Sequence, residues 1–108
     1  MGVIILYAIA FDLDTDTLKK TYPSGSWNNA CNDIKQALAE HGFSRQQGSV
    51  YFGDMKNVNA VTCVIAAQDL TRAFPWFAAS VRDIRMLRIE DDNDLKPAIE
   101  KMPAATRG

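Results

Sequence analysis

Val3-Ile4-Ile5-Leu6-Tyr7-Ala8-Ile9-Ala10-Phe11 is an unbroken apolar run rich in β-formers. Unbroken apolarity, where a half-exposed strand would alternate, predicts a strand buried on both faces and central in its sheet. Asp14 to Tyr22 then offers a short helical turn that Pro23 and Ser24-Gly25-Ser26 stop. Ser26 is the expected N-cap of an amphipathic helix, with Trp27, Ala30, Cys31, Ile34, Leu38 and His41 recurring at three- and four-residue steps. Gly42 ends that helix as its C′ residue. Phe43–Gln47 and Ser49–Gly53 read as two short strands about Gly48, a tight hairpin. Asn57 is the expected cap of a second helix carrying Ala60, Cys63, Val64, Ala67, Leu70 and Phe74 on one side. Pro75-Trp76-Phe77 restarts the chain as a short aromatic turn.

Val81–Glu90 admits three readings. Ile84 and Met86 alternate with arginines, but Leu87 and Ile89 then shift the phase by one. A bulge explains the shift, and so does a strand with apolar contacts on both faces; a helix is the third reading. Asp91-Asp92-Asn93-Asp94 would cap a last helical turn over Leu95–Met102, and residues 103–108 are expected to form a flexible tail.

The order strand, helix, strand, strand, helix, strand predicts an α+β, ferredoxin-like βαββαβ domain over residues 1–102, an antiparallel sheet with its helices on one face. Two helices cover one face only, whereas the first run is apolar on both. The economical cover for the open face is a second copy, in a twofold homodimer.

A chain of 108 residues supports one domain with one modest core. With 47% hydrophobic and 23% charged residues it is not a disordered protein. Twelve Lys and Arg against thirteen Asp and Glu leave a net charge of −1, which excludes a broad polyanion binder; nucleic-acid contact must rest on a local patch. Cys31 and Cys63 stand far apart with no partner at metal-ligand spacing, and both are expected to be reduced, buried thiols. The apolar start lacks a preceding Lys or Arg and runs straight into Asp12-Leu13-Asp14, unlike a signal peptide. It is shorter than the roughly 20 residues of a membrane span, and Leu6 stands where myristoylation needs Ser or Thr. The expectation is a cytoplasmic protein with no membrane partner.

Asp12, Asp14 and Asp16 cluster at the exit of the first strand, where period two puts Asp12 and Asp14 on one face. In a dimer over that sheet, two copies of Asp12 could approach, and paired carboxylates repel unless they share a proton or a cation. Mg²⁺, held by few carboxylates and completing its shell with water and phosphate oxygens, suits such a place and would polarise a phosphodiester. The plainer role for these aspartates is to cap a turn. His41 is the only histidine, so one subunit cannot supply a two-histidine acid/base pair, and a helix C-terminus is an ordinary place for it. Ser49, Tyr51 and Tyr7 bring hydroxyls that could orient a phosphate or simply sit in the sheet. Arg82, Arg85 and Arg88, with Arg45 and Arg72, could grip a phosphate backbone or pair with Asp83, Glu90 and Asp91. Trp27, Phe74, Trp76 and Phe77 suit core or dimer packing better than base stacking. Neither a P-loop nor a dinucleotide glycine fingerprint is present.

Tyr7-Ala8-Ile9-Ala10-Phe11-Asp12-Leu13, Ser26-Trp27-Asn28-Asn29-Ala30 and Leu38-Ala39-Glu40-His41-Gly42-Phe43 resemble the virulence-associated protein D family. So do Arg45-Gln46-Gln47-Gly48-Ser49-Val50-Tyr51 and the whole of Val81–Glu90; the resemblance runs from Tyr7 to Ile99. Family members begin near the position of Tyr7, so the resemblance makes Met1–Leu6 an extension or an alternative start. The family is similar in fold to the small CRISPR-associated proteins that assist spacer acquisition, ferredoxin-like homodimers with an Asp at the end of the first strand. The resemblance implies an endoribonuclease, in some bacteria the toxin of a toxin–antitoxin pair, and its first-strand Asp falls on Asp12. Chemistry adds the remaining expectations for a homodimeric RNA endonuclease. Asp12 would hold a divalent ion such as Mg²⁺ or act as a general base, and Arg45, Arg82 and Arg85 would neutralise phosphate charge. Ser49 and Tyr51 would position the scissile group. A metal-free attack by the 2′-hydroxyl needs only a base and cationic stabilisation. The alternative is a non-catalytic dimeric module that binds nucleic acid or protein.

Overall fold

The apolar first run forms β1 (Leu6–Leu13), and three further strands follow: β2 (Phe43–Gln47), β3 (Val50–Gly53) and β4 (Val81–Ile89). The computed structural model describes residues 5–23 and 25–102; the expected tail 103–108 and the first four residues lie outside them. The sheet runs β2-β3-β1-β4 with every neighbouring pair antiparallel, the ferredoxin-like order. β1 is interior, as its unbroken apolarity predicted. β4 is an edge, and it is a strand rather than a helix.

Helices α1 (Thr15–Thr21), α2 (Ala30–Ala39), α3 (Ala60–Ala73), α4 (Pro75–Ser80) and α5 (Lys96–Lys101) complete the order. The core lies on one sheet face, where Ile9, Phe43 and Tyr51 meet Leu18, Ile34, Leu38, Leu70, Trp76 and Phe77. Each such large side chain contributes about 1.5–3 kcal/mol when taken out of water. Trp76 and Phe77 therefore belong to the core and cannot stack on bases.

Four local expectations are corrected. The helix expected from Ser26 starts as a 3₁₀ turn over Trp27–Asn29, with no side-chain cap from Ser26. Asn59, not Asn57, caps α3, because Asn57 is already engaged by Asp54 while Asn59 exchanges bonds with Thr62 in a capping box. The buried stripe of α3 is Cys63, Ala66 and Leu70, and Val64 is 54% exposed. Cys31 is exposed, because the line Ala30, Ile34, Leu38 takes the buried side of α2 and leaves its neighbour a third of a turn away; Cys63 is buried as expected, and both are free thiols.

The phase change in β4 is not a bulge at Leu87. Ile84 and Met86 pair with Phe11 and Ile9 on the helix-covered face, while Leu87 and Ile89 pair with Ala8 and Leu6 on the other. The register shift falls earlier, where Asp12 faces Asp83 but Leu13 faces Val81, leaving Arg82 as the extra residue.

On the face away from the core, cross-strand partners change character along β1. Leu6 pairs with Ile89, Ala8 with Leu87 and Phe52, Ala10 with Arg85 and Val50, and Asp12 with Asp83. That face is apolar at one end and charged at the other.

Candidate active site at the end of the central strand

Strand alternation aims Asp12 away from the core at the charged end of the open face, where it is exposed. Asp83 stands directly opposite on β4. Such partners have Cβ atoms about 4.5–5.5 Å apart, and like charges there destabilise the sheet. Arg85 lies one pair along on the same face, and its Nε donates to Asp83 Oδ2 at 2.9 Å. That ion pair raises the Arg85 pKa, chiefly through the hydrogen bond. Two carboxylates and a guanidinium thus share one exposed patch.

Asp14 does not share the face of Asp12, because β1 ends at Leu13 and Asp14 is the N-cap of α1. Its backbone N–H donates to Ser80 O, its Oδ2 accepts from Thr17 Oγ1 at 2.6 Å, and its Oδ1 accepts from Arg82 at 3.2 Å. The Thr17 hydroxyl foremost, and the Arg82 guanidinium after it, hold this carboxyl below the ordinary aspartate range. Asp14 thus stands at the N-cap position with its side chain tied to Thr17 and Arg82, not to the helix backbone. Arg82, Arg85 and Arg88 all carry ion pairs, with Asp14, Asp83 and Glu90. These pairs are solvent-exposed and therefore weak, so a phosphate can displace them.

Arg45, Ser49 and Tyr51 gather elsewhere, around the turn between β2 and β3. The turn lies level with the end of β1, since the Phe11 N–H donates to Ser49 O at 3.2 Å. Gly48 makes it with φ +50°, and Arg45 Nε donates to Gly48 O at 2.9 Å. Tyr51 points to the core side, its ring stacked on Phe11 with centroids 5.9 Å apart. Burial pushes its phenol pKa up, so the hydroxyl stays protonated at neutral pH.

No family model matches the sequence. It is 48% identical over 94 residues to endoribonuclease VapD 2 of Riemerella anatipestifer, covering 87% of this chain and 99% of that protein. It is 48% identical over 95 residues to an endoribonuclease VapD homolog of Helicobacter pylori, covering 88% of this chain and 97% of that one. The chain belongs to the VapD family. The endoribonuclease VapD of Dichelobacter nodosus, 39% identical over 95 residues and matched over 98% of its own length, marks the same membership at greater distance.

In this VapD chain the structure assembles Asp12 with Arg85 on one side of the sheet end and Arg45, Ser49 and Tyr51 on the other. Asp83, expected as a salt-bridge partner of the arginines, does pair with Arg85 and also stands opposite Asp12. Alternation put Asp83 and Arg85 on one face, but only the register with β1 sets Asp83 against Asp12. Among the described residues no three His, Cys, Asp or Glu side chains gather as a metal cage. Mg²⁺ asks for less, one or two carboxylates with waters and phosphate oxygens; here the Asp12 carboxylate is exposed, whereas that of Asp83 is bonded by Arg85. His41 at the end of α2 bonds Asp69 of α3 through Nε2 at 3.0 Å, remote from both groups in the fold.

Proposed function

We propose that this chain is an endoribonuclease cleaving RNA phosphodiester bonds, with Asp12 as the catalytic residue. The observation that carries the reading is the exposed patch of Asp12, Asp83 and Arg85; the names borne by its VapD relatives support the reaction class. Asp12 is the general base. It takes the proton of a ribose 2′-hydroxyl, whose oxygen forms a bond to phosphorus while the bond from phosphorus to the 5′-oxygen breaks. Water protonates the leaving oxygen, giving a 2′,3′-cyclic phosphate and a 5′-hydroxyl. The terminal nitrogens of Arg85, left free by its Nε bond to Asp83, and the guanidinium of Arg82, released from Asp14, neutralise charge growing on the phosphate oxygens. Asp83 keeps Arg85 oriented towards the patch. On the far side of the sheet end, Arg45 and Ser49 hold the strand, and Tyr51, protonated, donates a hydrogen bond rather than accepting a proton. In the metal-dependent form of the reading, Asp12 would hold magnesium in place of acting as base, and the ion would supply charge neutralisation at the phosphate.

The reading includes a homodimer over the apolar end of the open face. Residues 90–102 extend it, because they are all exposed, with Leu95, Ile99 and Met102 about 70% accessible. The radius of gyration is 17.3 Å, against about 13 Å for a compact chain of this length. An apolar arm left bare by its own domain suits a second copy. A toxin role opposed by an antitoxin protein, and a cytoplasmic location where RNA is at hand, belong to the same proposal. No described helix is long and apolar enough to cross a membrane.

Wild type and Asp12→Asn, matched for dimer mass, are incubated with labelled total RNA in Mg²⁺ and in EDTA. Wild type is expected to cleave and Asp12→Asn is not. Cleavage that persists in EDTA with cyclic-phosphate ends assigns the base; cleavage lost in EDTA assigns Asp12 to a magnesium ion. Equal cleavage by both proteins, or by neither, overturns the reading in favour of a non-catalytic binding module.

A further inference from the structure

Beside the hairpin turn, on the core side of the sheet, is a cavity of about 250 Å³. Phe11 and Tyr51 lie against one side of it, with ring planes 15° apart. The opposite wall comes from the 3₁₀ turn and the first turns of α2, where Asn28, Asn32 and Lys35 succeed one another at four- and three-residue steps along one helical face. Arg45 closes the rim, its Nε tied to Gly48 O so that the two terminal nitrogens remain for a ligand. Among the described residues, Asn28, Asn32 and Lys35 make no side-chain hydrogen bond or ion pair. The lining holds two cations and no carboxylate.

We propose that this cavity binds one unpaired nucleotide of the RNA, next to the bond that is cut. The inference rests on the nuclease reading for the identity of the polymer. Amides of Asn28 and Asn32 offer paired donors and acceptors, the chemistry that reads a base edge, while Lys35 and Arg45 take the adjacent phosphate. The partly exposed ring of Phe11 at the cavity wall suits a splayed base, which a duplex cannot present. Continuity with the candidate active site is short. Ser49 lines the cavity and accepts from the N–H of Phe11, and the next residue is Asp12, across the strand on the open face. A single strand rounding the end of β1 would set one nucleotide in the cavity and the following phosphate near Asp12. Base preference in cleavage then comes from Asn28 and Asn32, not from the reacting groups.

The test uses four single-stranded RNA dodecamers, each with a different base at one position, and two readouts. Cleavage rates are measured with the wild-type background, and binding by fluorescence anisotropy with Asp12→Asn, which does not consume the probe. Asn32→Ala is expected to cut a base discrimination of about tenfold or more to under about threefold in both readouts. Lys35→Ala is expected to weaken all four RNAs alike and to lower the salt slope by about one. A Gln36→Ala control, outside the cavity lining, checks that changes on α2 are local. If Asn32→Ala and Asn28→Ala both leave the order of the four RNAs unchanged, the cavity does not read bases and the proposal falls. If no variant cleaves but Asp12→Asn binds with a base preference that Asn32→Ala removes, the pocket stands and the nuclease reading falls instead.

Discussion

Asp12 and Asp83 face each other across β1 and β4 on the uncovered face of the sheet. A cross-strand pair of like charges costs stability, and here it sits beside a guanidinium where a phosphate would be held. Asp12→Asn is expected to raise stability slightly, by about 0.2–1 kcal/mol, while reducing RNA cleavage by about 10²–10⁴-fold. Asp83→Asn should also slow cleavage, but less, since Asp83 acts through Arg85. Urea unfolding and initial rates on one labelled RNA check both. An Asp12→Asn protein that is less stable and fully active would refute the assignment.

The proposed homodimer would close over the open face. Leu87 pairs with Ala8 in the apolar half of that face, and it is 40% exposed in the single chain. Leu87→Lys should leave the fold intact and shift sedimentation to the monomer. Met86→Lys, on the same strand but the other face, should remain a dimer. Dimers of unchanged affinity with Lys at position 87 would move the interface elsewhere.

Asp14 carries a pH dependence whose sign follows from its surroundings. Its folded-state pKa lies below that of an ordinary aspartate, mainly because of the Thr17 hydroxyl and then Arg82. The carboxylate therefore contributes stability that is present above the unfolded pKa and lost as pH falls through the lower, folded value. Asp14→Asn should be less stable than wild type at pH 7, with the gap closing in strong acid. Urea midpoints of the two proteins between pH 7 and pH 2 test this; a gap that widens on acidification would contradict it.

What the sequence made legible, and what it left hidden, divides along a physical line. The βαββαβ order could be read because β1 is apolar on both faces and α2 keeps a strict buried line through Ala30, Ile34 and Leu38. The cap of α3 was misplaced because Asn57 and Asn59 have the same intrinsic preference, and only the bond to Asp54 decides between them. The place of Asp12 at a strand exit is visible in the sequence. That of Asp83 opposite it is not, because cross-strand register is set by pairing over long sequence separations and leaves no local mark. The cavity was equally invisible, since its Asn and Lys side chains look like an ordinary solvated helix face until the hairpin lies opposite them.

The two thiols should separate cleanly by reactivity. Cys31 is exposed and lines the proposed nucleotide cavity, whereas Cys63 is buried, with burial pushing its pKa up. An aromatic disulfide reagent should titrate one thiol in the native protein and the second only after unfolding. Saturating single-stranded RNA should slow the first reaction in Asp12→Asn. Two fast thiols, or a Cys31 rate indifferent to RNA, would contradict the arrangement.

Glycine positions give the last prediction, on how tightly the hairpin is held beneath α3. A Cβ added at Gly53 would lie 2.7 Å from Val58 Cβ and 3.0 Å from its Cγ2, and neither atom is the free end of a flexible chain. Gly53→Ala should therefore destabilise by about 1–3 kcal/mol. Gly42, past the end of α2, has φ +90°, and Gly42→Ala there should cost about 1 kcal/mol or more. Gly25 has open space where its Cβ would go, so Gly25→Ala should change stability by less than about 0.5 kcal/mol. Val58→Ala combined with Gly53→Ala should lose less than the sum of the two singles, because the clash and the deleted methyls share one space. Urea midpoints for the five variants and wild type decide the matter, and additive losses would mean that Val58 does not press on the β3 backbone.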